Sequence, residues 1–472
     1  MVKEEVNKNR WVILFIVVMM TFMSCLDSSI VNVALPNMAK QLGVTMGIIQ
    51  WVVTSYLIII SGSILFFGRL GDIIGKTRVF KMGLVIFTIS SLLCGLSTNI
   101  VILVMARCIQ AVGAAATMAT NQGIITHVFP SNERGRALGI TGTFVALGTL
   151  VGPALGGFIV AYFSWKYIFL INLPFGIVTF ILASRLMPEN GTKQDEDMDI
   201  KGTVLFFVAI VLFFLTFTKG GEIGYFNPLI IGSFIITLAA GTAFIMFQKK
   251  MKDPLLDLTI FHNPLFSISV FCSFTSFVAM GTNNIIQPFY LQDVQKLSPS
   301  QAGMYMMIFP LILSFVAPIS GHLSDKIGSE VLTLGGLVLN AIGLAGLAFL
   351  TVGAPMLHFV ICIAIMSLGN GLFQSPNTSL VMSTVPKHKL GIAGSINALV
   401  RNVGMVLGVS LSTTILYNRM SYKMGYRVDN YIPGRDDVFL YANKYVYIVA
   451  AIICMVGATM TAIRLSKKKG EV

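Results

Sequence analysis

Asp27 sits in the stretch LDSSIVNVALP, late in an apolar run that starts at Trp11. A carboxylate at the centre of a membrane helix costs roughly 2.5–3.5 kcal/mol on insertion scales, so intramembrane acids mark function by default. Arg107 carries the opposite charge inside another apolar run, LVMARCIQAVGAA. At 1.5 Å per residue, Asp27 lies about 24 Å from the start of its run and Arg107 about 10 Å from the start of its own. If the two runs cross in opposite directions, both charges fall in the same half of a layer about 30 Å thick and are placed to pair. Burial favours the neutral carboxyl group, whereas a nearby cation favours the carboxylate. An acid moved between those surroundings takes up and releases a proton. A static ion pair, or a carboxylate facing a wet cleft, is the competing reading.

A second group of residues suits a gate. GRLGDIIGKTR carries Gly68, Arg69, Gly71, Asp72, Gly75, Lys76 and Arg78 at the end of an apolar run. Glycines there permit close approach and a tight turn. Asp72 can accept hydrogen bonds or face a helix N-terminus, and the basic residues supply countercharge. GHLSDKIG, containing Asp325, repeats the pattern 253 residues later. In GTLVGPALGG, Gly148, Gly152 and Gly156 are spaced by four on one helical stripe, beside Pro153 and Gly157. Such a stripe allows tight helix packing, and the proline removes a backbone hydrogen bond and permits a bend. Tyr56, Gln110, Asn284, Gln287, Tyr290, Gln374, Asn377, Asn397 and Arg401 are polar or aromatic residues within apolar runs and are candidates to line a cavity.

The elements that hold these residues follow from composition. The 472 residues are 55% hydrophobic and 11% charged, with net charge +13; soluble domains carry about 25% charged residues. The deficit spans the whole chain, so most of its surroundings are lipid. Fourteen apolar runs are long enough to cross, near 11–35, 48–68, 79–98, 100–125, 137–161, 167–187, 201–219, 228–247, 265–290, 301–323, 331–351, 356–384, 391–417 and 443–464. Lys and Arg concentrate in the termini and even-numbered connections, so the positive-inside rule puts both termini in the cytoplasm. That distribution also argues against nucleic acid as a partner.

The first six and last six spans repeat each other. Besides the two Gly-Asp-Gly stretches, Asn32 and Pro36 match Asn284 and Pro288, while Gly113, Asn121 and Pro130 match Gly369, Asn377 and Pro386. Two parallel bundles follow: residues 1–187, a linker with two extra spans at 188–263, and residues 264–472. The stretches Pro188 to Asp199 and Gln248 to Asp257 mark the boundaries. At the same offsets Asp27 corresponds to Ala279 and Arg107 to Ile363, so the charged pair belongs to the first bundle alone.

These stretches resemble motifs of the major facilitator superfamily. GRLGDIIGKTR is similar to its loop 2–3 signature, LVMARCIQAVGAA to the motif with a buried Arg (Ala111 replacing the usual Gly), and GTLVGPALGG to the motif associated with antiporters. LDSSIVNVALP and WKYIFLINLPFGI resemble the fourteen-span drug:proton antiporters. The resemblance covers nearly the whole chain. It implies an all-α polytopic membrane protein with the major facilitator fold, two six-helix bundles plus two extra transmembrane helices. It also implies a latch at Gly68, Arg69, Asp72, Gly75, Lys76, Arg78 and Asp325, and proton coupling at Asp27 and Arg107.

The expected function is proton-coupled export of amphipathic, often cationic, compounds by alternating access; a lipid or lipid-precursor flippase, or a metabolite exporter, is the alternative. No enzyme is expected, because no His/Asp/Glu/Ser constellation clusters at one membrane depth, and no energy source besides the proton gradient is expected, because no G-x-x-x-x-G-K-[ST] loop occurs. No cofactor or metal is expected, since no two His sit at ligand spacing and the six cysteines read as small buried hydrophobes. The expected partners are a small amphipathic substrate, protons and membrane lipid around a monomer in the cell membrane. The connection Asn418 to Lys444 is expected as either a hairpin turning at Pro433-Gly434 or an irregular loop.

Overall fold

The structure is a computed structural model and describes residues 2–130, 133–187, 199–223, 227–251, 256, 258–385 and 390–470. Among these residues there is no strand. Fourteen helical spans among them are long and apolar enough to cross a membrane, as many as the apolar runs. Helices suit that solvent because each satisfies its own backbone polar groups. Large side chains such as Leu229, Val101, Met105 and Phe315 stand exposed, which is the lipid-facing pattern rather than a soluble surface.

The helices are α1 (Val2–Leu42), α2 (Met46–Ile49), α3 (Trp51–Ile74), α4 (Lys76–Leu96), α5 (Ile100–Val128), α6 (Arg134–Tyr162), α7 (Tyr167–Leu170) and α8 (Asn172–Leu186). The two extra spans are α9 (Ile200–Ile223) and α10 (Pro228–Gln248). Then come α11 (Pro264–Phe289), α12 (Pro299–Met306), α13 (Ile308–Ile327), α14 (Ser329–Ala348), α15 (Met356–Ser383), α16 (Leu390–Met424) and α17 (Asp436–Gly470). Helix starts carry local signals. The Asn99 side chain accepts from the Ile102 amide at 2.9 Å, and Ser298 with Gln301 forms a capping box before α12, each satisfying an otherwise orphaned donor.

The chain packs as two compact units: Met1–Val44, Trp51–Leu212 and Ile236–Leu255 in the first; Thr45–Gln50, Phe213–Ile235 and Leu256–Val472 in the second. The extra helices thus divide between them. In the first unit Asp199 caps α9 at the Gly202 amide and accepts from Gln248 at the end of α10, both at 2.7 Å. In the second, Thr216 bonds Ser233 at 2.9 Å and Thr218 bonds Ser410 at 2.7 Å.

Each unit repeats the other's internal packing. A Cβ added at Gly83 of α4 would meet the Gly113 carbonyl of α5 at 2.8 Å, and one at Gly336 of α14 would meet the Gly369 carbonyl of α15 at 2.6 Å. Gly148, Gly152 and Gly156 of α6 press on α1, as Gly404 and Gly408 of α16 press on α11. The turn glycines also match: Gly75 has φ +101° and Gly328 φ +91°, where a Cβ is strained. Helices close to this distance only where one side chain is a hydrogen.

Several expectations change. Gly68 has open space around its Cα, so within its unit it serves no close contact; Gly71, which a Cβ would drive against Thr120 at 3.0 Å, does. The Asn418–Lys444 stretch is mostly helix. α16 continues to Met424 and α17 begins at Asp436, leaving 425–435 between them and no hairpin. The turn at Pro433-Gly434 remains, with Gly434 at φ +77°. Residues 188–198, 252–255, 257 and Pro386, where boundary and repeat signals were read, lie outside the described residues, as does the side chain of Asp325.

Candidate functional site

Five helices of the first unit bring their few polar side chains to one buried point. Asp27 on α1 and Arg107 on α5 are 0% and 1% exposed. Arg107 donates Nη1 to Asp27 Oδ2 at 2.5 Å. Asp27 Oδ1 accepts from Gln110 Nε2 at 3.1 Å and from Asn172 Nδ2 at 2.9 Å. Gln110 sits one turn beyond Arg107 on α5, takes a second contact from Arg107 Nη1 at 2.6 Å and donates to Ser91 Oγ of α4 at 2.8 Å. Arg107 Nε donates to the Val52 carbonyl of α3 at 3.1 Å. Its guanidinium lies over the Tyr56 ring at 4.0 Å and the Phe169 ring at 5.6 Å, a cation–π arrangement strengthened by exclusion of water.

This geometry satisfies an ionised carboxylate, which only accepts. A buried pair breaks even against desolvation only when further hydrogen bonds complete it, and here amides, a backbone carbonyl and an aromatic face do so. Loss of one partner strands the other charge.

The helix that carries Asp27 is clasped by the glycine stripe. Cβ atoms at Gly148 and Gly156 would meet the Phe22 carbonyl at 2.7 Å and Ile30 Cγ1 at 2.8 Å, and one at Gly152 would run into Ser29. Pro153 lies within α6, which continues through it, and Gly157 is buried beside Gly156. The equivalents of Asp27 and Arg107 in the second unit, Ala279 and Ile363, are apolar and fully buried.

The gate candidates form a separate group where α3 meets α4. Lys76 pairs with Asp72 one turn before it. Its side chain runs along Gly123 of α5, where a Cβ would collide with it. Arg69 is half-buried and Arg78 exposed.

The cavity candidates divide. Tyr56 and Gln110 belong to the ion pair's own surroundings. In the second unit Tyr290 stacks on Phe359 with centroids 5.5 Å apart. Gln287 is buried and accepts from Asn283 at 2.9 Å. Asn377 donates to the Ser269 carbonyl at 3.0 Å and Ser273 Oγ at 2.8 Å, and Ser273 donates to Asn397 at 3.2 Å. Asn284, Gln374, Asn397 and Arg401 are half-buried. Asn172 and Ser91 were missed. Asn172 is the one amide in WKYIFLINLPFGI, a signal that was present but gave no partner.

The Major Facilitator Superfamily matches residues 17–409. The chain is 35% identical over 461 residues to the riboflavin transporter RibZ of Clostridioides difficile, covering 98% of each. It is 31% identical to the multidrug resistance protein Stp of Mycobacterium tuberculosis (strain CDC 1551 / Oshkosh), covering 87% of this chain and 77% of that one. Among solved structures, a bacterial homologue of the human lysosomal transporter Spinster aligns at TM-score 0.66 and 15% identity over 96% of both chains; at that identity the likeness is one of fold.

Proposed function

The chain belongs to the Major Facilitator Superfamily and is a membrane transporter, and from that premise we propose that it moves an amphipathic small molecule against protons by alternating access. The observation that carries the reading is the buried Asp27–Arg107 pair with its Gln110 and Asn172 amides. In one state the carboxylate is ionised and held by Arg107. In the other the pair is parted, Asp27 takes a proton, and Arg107 remains over Tyr56. Each proton moved down 100 mV supplies about 2.3 kcal/mol.

Alternation needs a gate. The Gly68–Arg78 turn, with Asp72, Lys76, Arg69 and Arg78, and its counterpart at Asp325 are assigned that role, with residues 1–187 and 264–472 as the moving bundles and both termini cytoplasmic. The glycine contacts of α6 on α1 keep the proton-carrying helix rigid within its bundle as the bundle moves.

Export of amphipathic cationic drugs is the first substrate reading, supported by the likeness to Stp. A metabolite is the second, favoured by the nearly full-length likeness to RibZ; riboflavin is the compound to try first. The test is flux in proteoliposomes with an imposed pH gradient, using ethidium, a quaternary ammonium compound, riboflavin and a fluorescent phospholipid. Gradient-driven flux of one of these, abolished in Asp27→Asn, is the expected result. Flux that persists when the gradient is collapsed, or in Asp27→Asn, removes the proton-coupled reading.

A further inference from the structure

We propose that the groove between α16 and α17 binds a phospholipid through its phosphate, with Arg419 as the principal contact. The groove has a volume of about 340 Å³ and is lined by Ile415, Asn418, Arg419, Tyr422, Tyr445 and Val449, within the range of small-molecule sites. The two walls are stripes at helical spacing. On α16, Ile415 and Arg419 are four apart, as are Asn418 and Tyr422; on α17, Tyr445 and Val449 are four apart. One end of the groove is therefore apolar, at Ile415 and Val449, and the other polar.

The polar end lies toward the ends of the two helices that the 425–435 connection joins. Arg419 is five residues from the last residue of α16, Met424, and Tyr445 nine from the first of α17, Asp436; at 1.5 Å per residue these are about 8 and 14 Å from the helix ends. Tyr441, Tyr445 and Tyr422 there make an aromatic belt of the kind that sits at headgroup depth.

Arg419 is a donor group held in place without an anion. Its guanidinium lies 4.3 Å from the centroid of Tyr445, whose ring packs on Tyr441 at 5.2 Å. Among the described residues no carboxylate pairs with it. The neighbouring cations differ: Lys423 pairs with Asp437 at 3.0 Å and Arg435 with Asp437 at 3.0 Å. Arg419 is exposed, and a planar guanidinium fixed on a ring matches a phosphate in two-pronged fashion. Asn418 and the Tyr422 hydroxyl add donors at the same rim, and the Ile415 and Val449 end takes the start of an acyl chain. A free phosphate would use only the rim; the apolar end favours a lipid.

Full-length protein in phosphatidylcholine nanodiscs doped with a photoreactive phosphatidylglycerol is the system for the test, with labelled peptides mapped by mass spectrometry. Labelling is expected on residues 415–422 and 441–449. It falls about tenfold in Arg419→Ala, the loss of one charged hydrogen-bonded contact, and less in Arg419→Lys. Arg435→Ala, an exposed arginine already paired, labels as wild type and controls for folding. Wild-type labelling in Arg419→Ala, or equal labelling by a photoreactive diacylglycerol without phosphate, overturns the proposal. Suppression by millimolar inorganic phosphate overturns the lipid as the source and assigns the site to a free anion.

Discussion

Ser29 on α1 donates its hydroxyl to the Gly148 carbonyl of α6 at 3.1 Å, two residues along from Asp27. The same serine fills the space that a Cβ at Gly152 would need. The glycine stripe and the buried acid are thus parts of one helix contact, α6 fixing the helix that presents the carboxylate to Arg107.

Gly152→Ala tests that contact. The added methyl meets Ser29 and the α1 backbone, and overpacking of this kind costs about 1–3 kcal/mol. The variant is expected to melt at a lower temperature in detergent and to lose transport. Gly68→Ala, at an open position, leaves melting unchanged.

Arg107→Ala is expected to be worse than Asp27→Asn. It leaves a buried carboxylate without its cation, a loss of about 3–5 kcal/mol, whereas Asn at position 27 keeps an oxygen for the Gln110 and Asn172 amides and the Arg107 left behind keeps the Val52 carbonyl, the Gln110 oxygen and the Tyr56 ring. The double variant Asp27→Asn with Arg107→Ala should recover part of the lost melting temperature, because no unpaired charge remains. A double variant no more stable than Arg107→Ala contradicts the pairing.

Asn172→Ala removes one donor to a charged acceptor, worth about 1.5–3 kcal/mol. Folded protein with reduced gradient-driven flux is the expected outcome. Unchanged flux and melting would mean that Asn172 contributes nothing to the carboxylate.

Gly75→Ala and Gly328→Ala place a Cβ at φ +101° and +91°. Each should cost about 1–3 kcal/mol, and the two should cost alike, since the same turn serves both units. Melting curves of the two single variants check this.

The connection between α16 and α17 carries a pH-dependent tie. Lys296 donates to the Tyr431 hydroxyl at 2.9 Å, and Tyr431 donates to Asp436. Burial and the Asp436 contact raise the Tyr431 pKa above 10.0, and the hydrogen bond to Tyr431 raises that of Lys296 above 10.5. Groups raised on folding stabilise the protein below their ordinary values and cease to do so as pH climbs through the raised ones. Tyr431→Phe should therefore melt lower than wild type at pH 7, with the difference closing above about pH 10.

The glycine motifs were legible in sequence as spacing, but spacing alone treated Gly68 and Gly71 alike. Only the neighbouring helix decides between them: Thr120 of α5 lies against Gly71 and nothing lies against Gly68. Gln110 read as a cavity residue because a polar group in an apolar run has no direction until its helix is rotated into place. Packed, it faces Asp27 and Ser91.

By itself the sequence determined the fourteen apolar spans, the repeat of motifs between the first six and last six, and the presence of one acid and one base in two of those spans, because hydrophobic length and composition are properties of one segment. Tertiary structure decided which groups complete the ion pair. Asn172, Ser91, Val52 and Tyr56 come from α8, α4 and α3, and their convergence depends on the rotation and contact of separate helices, which no single segment encodes.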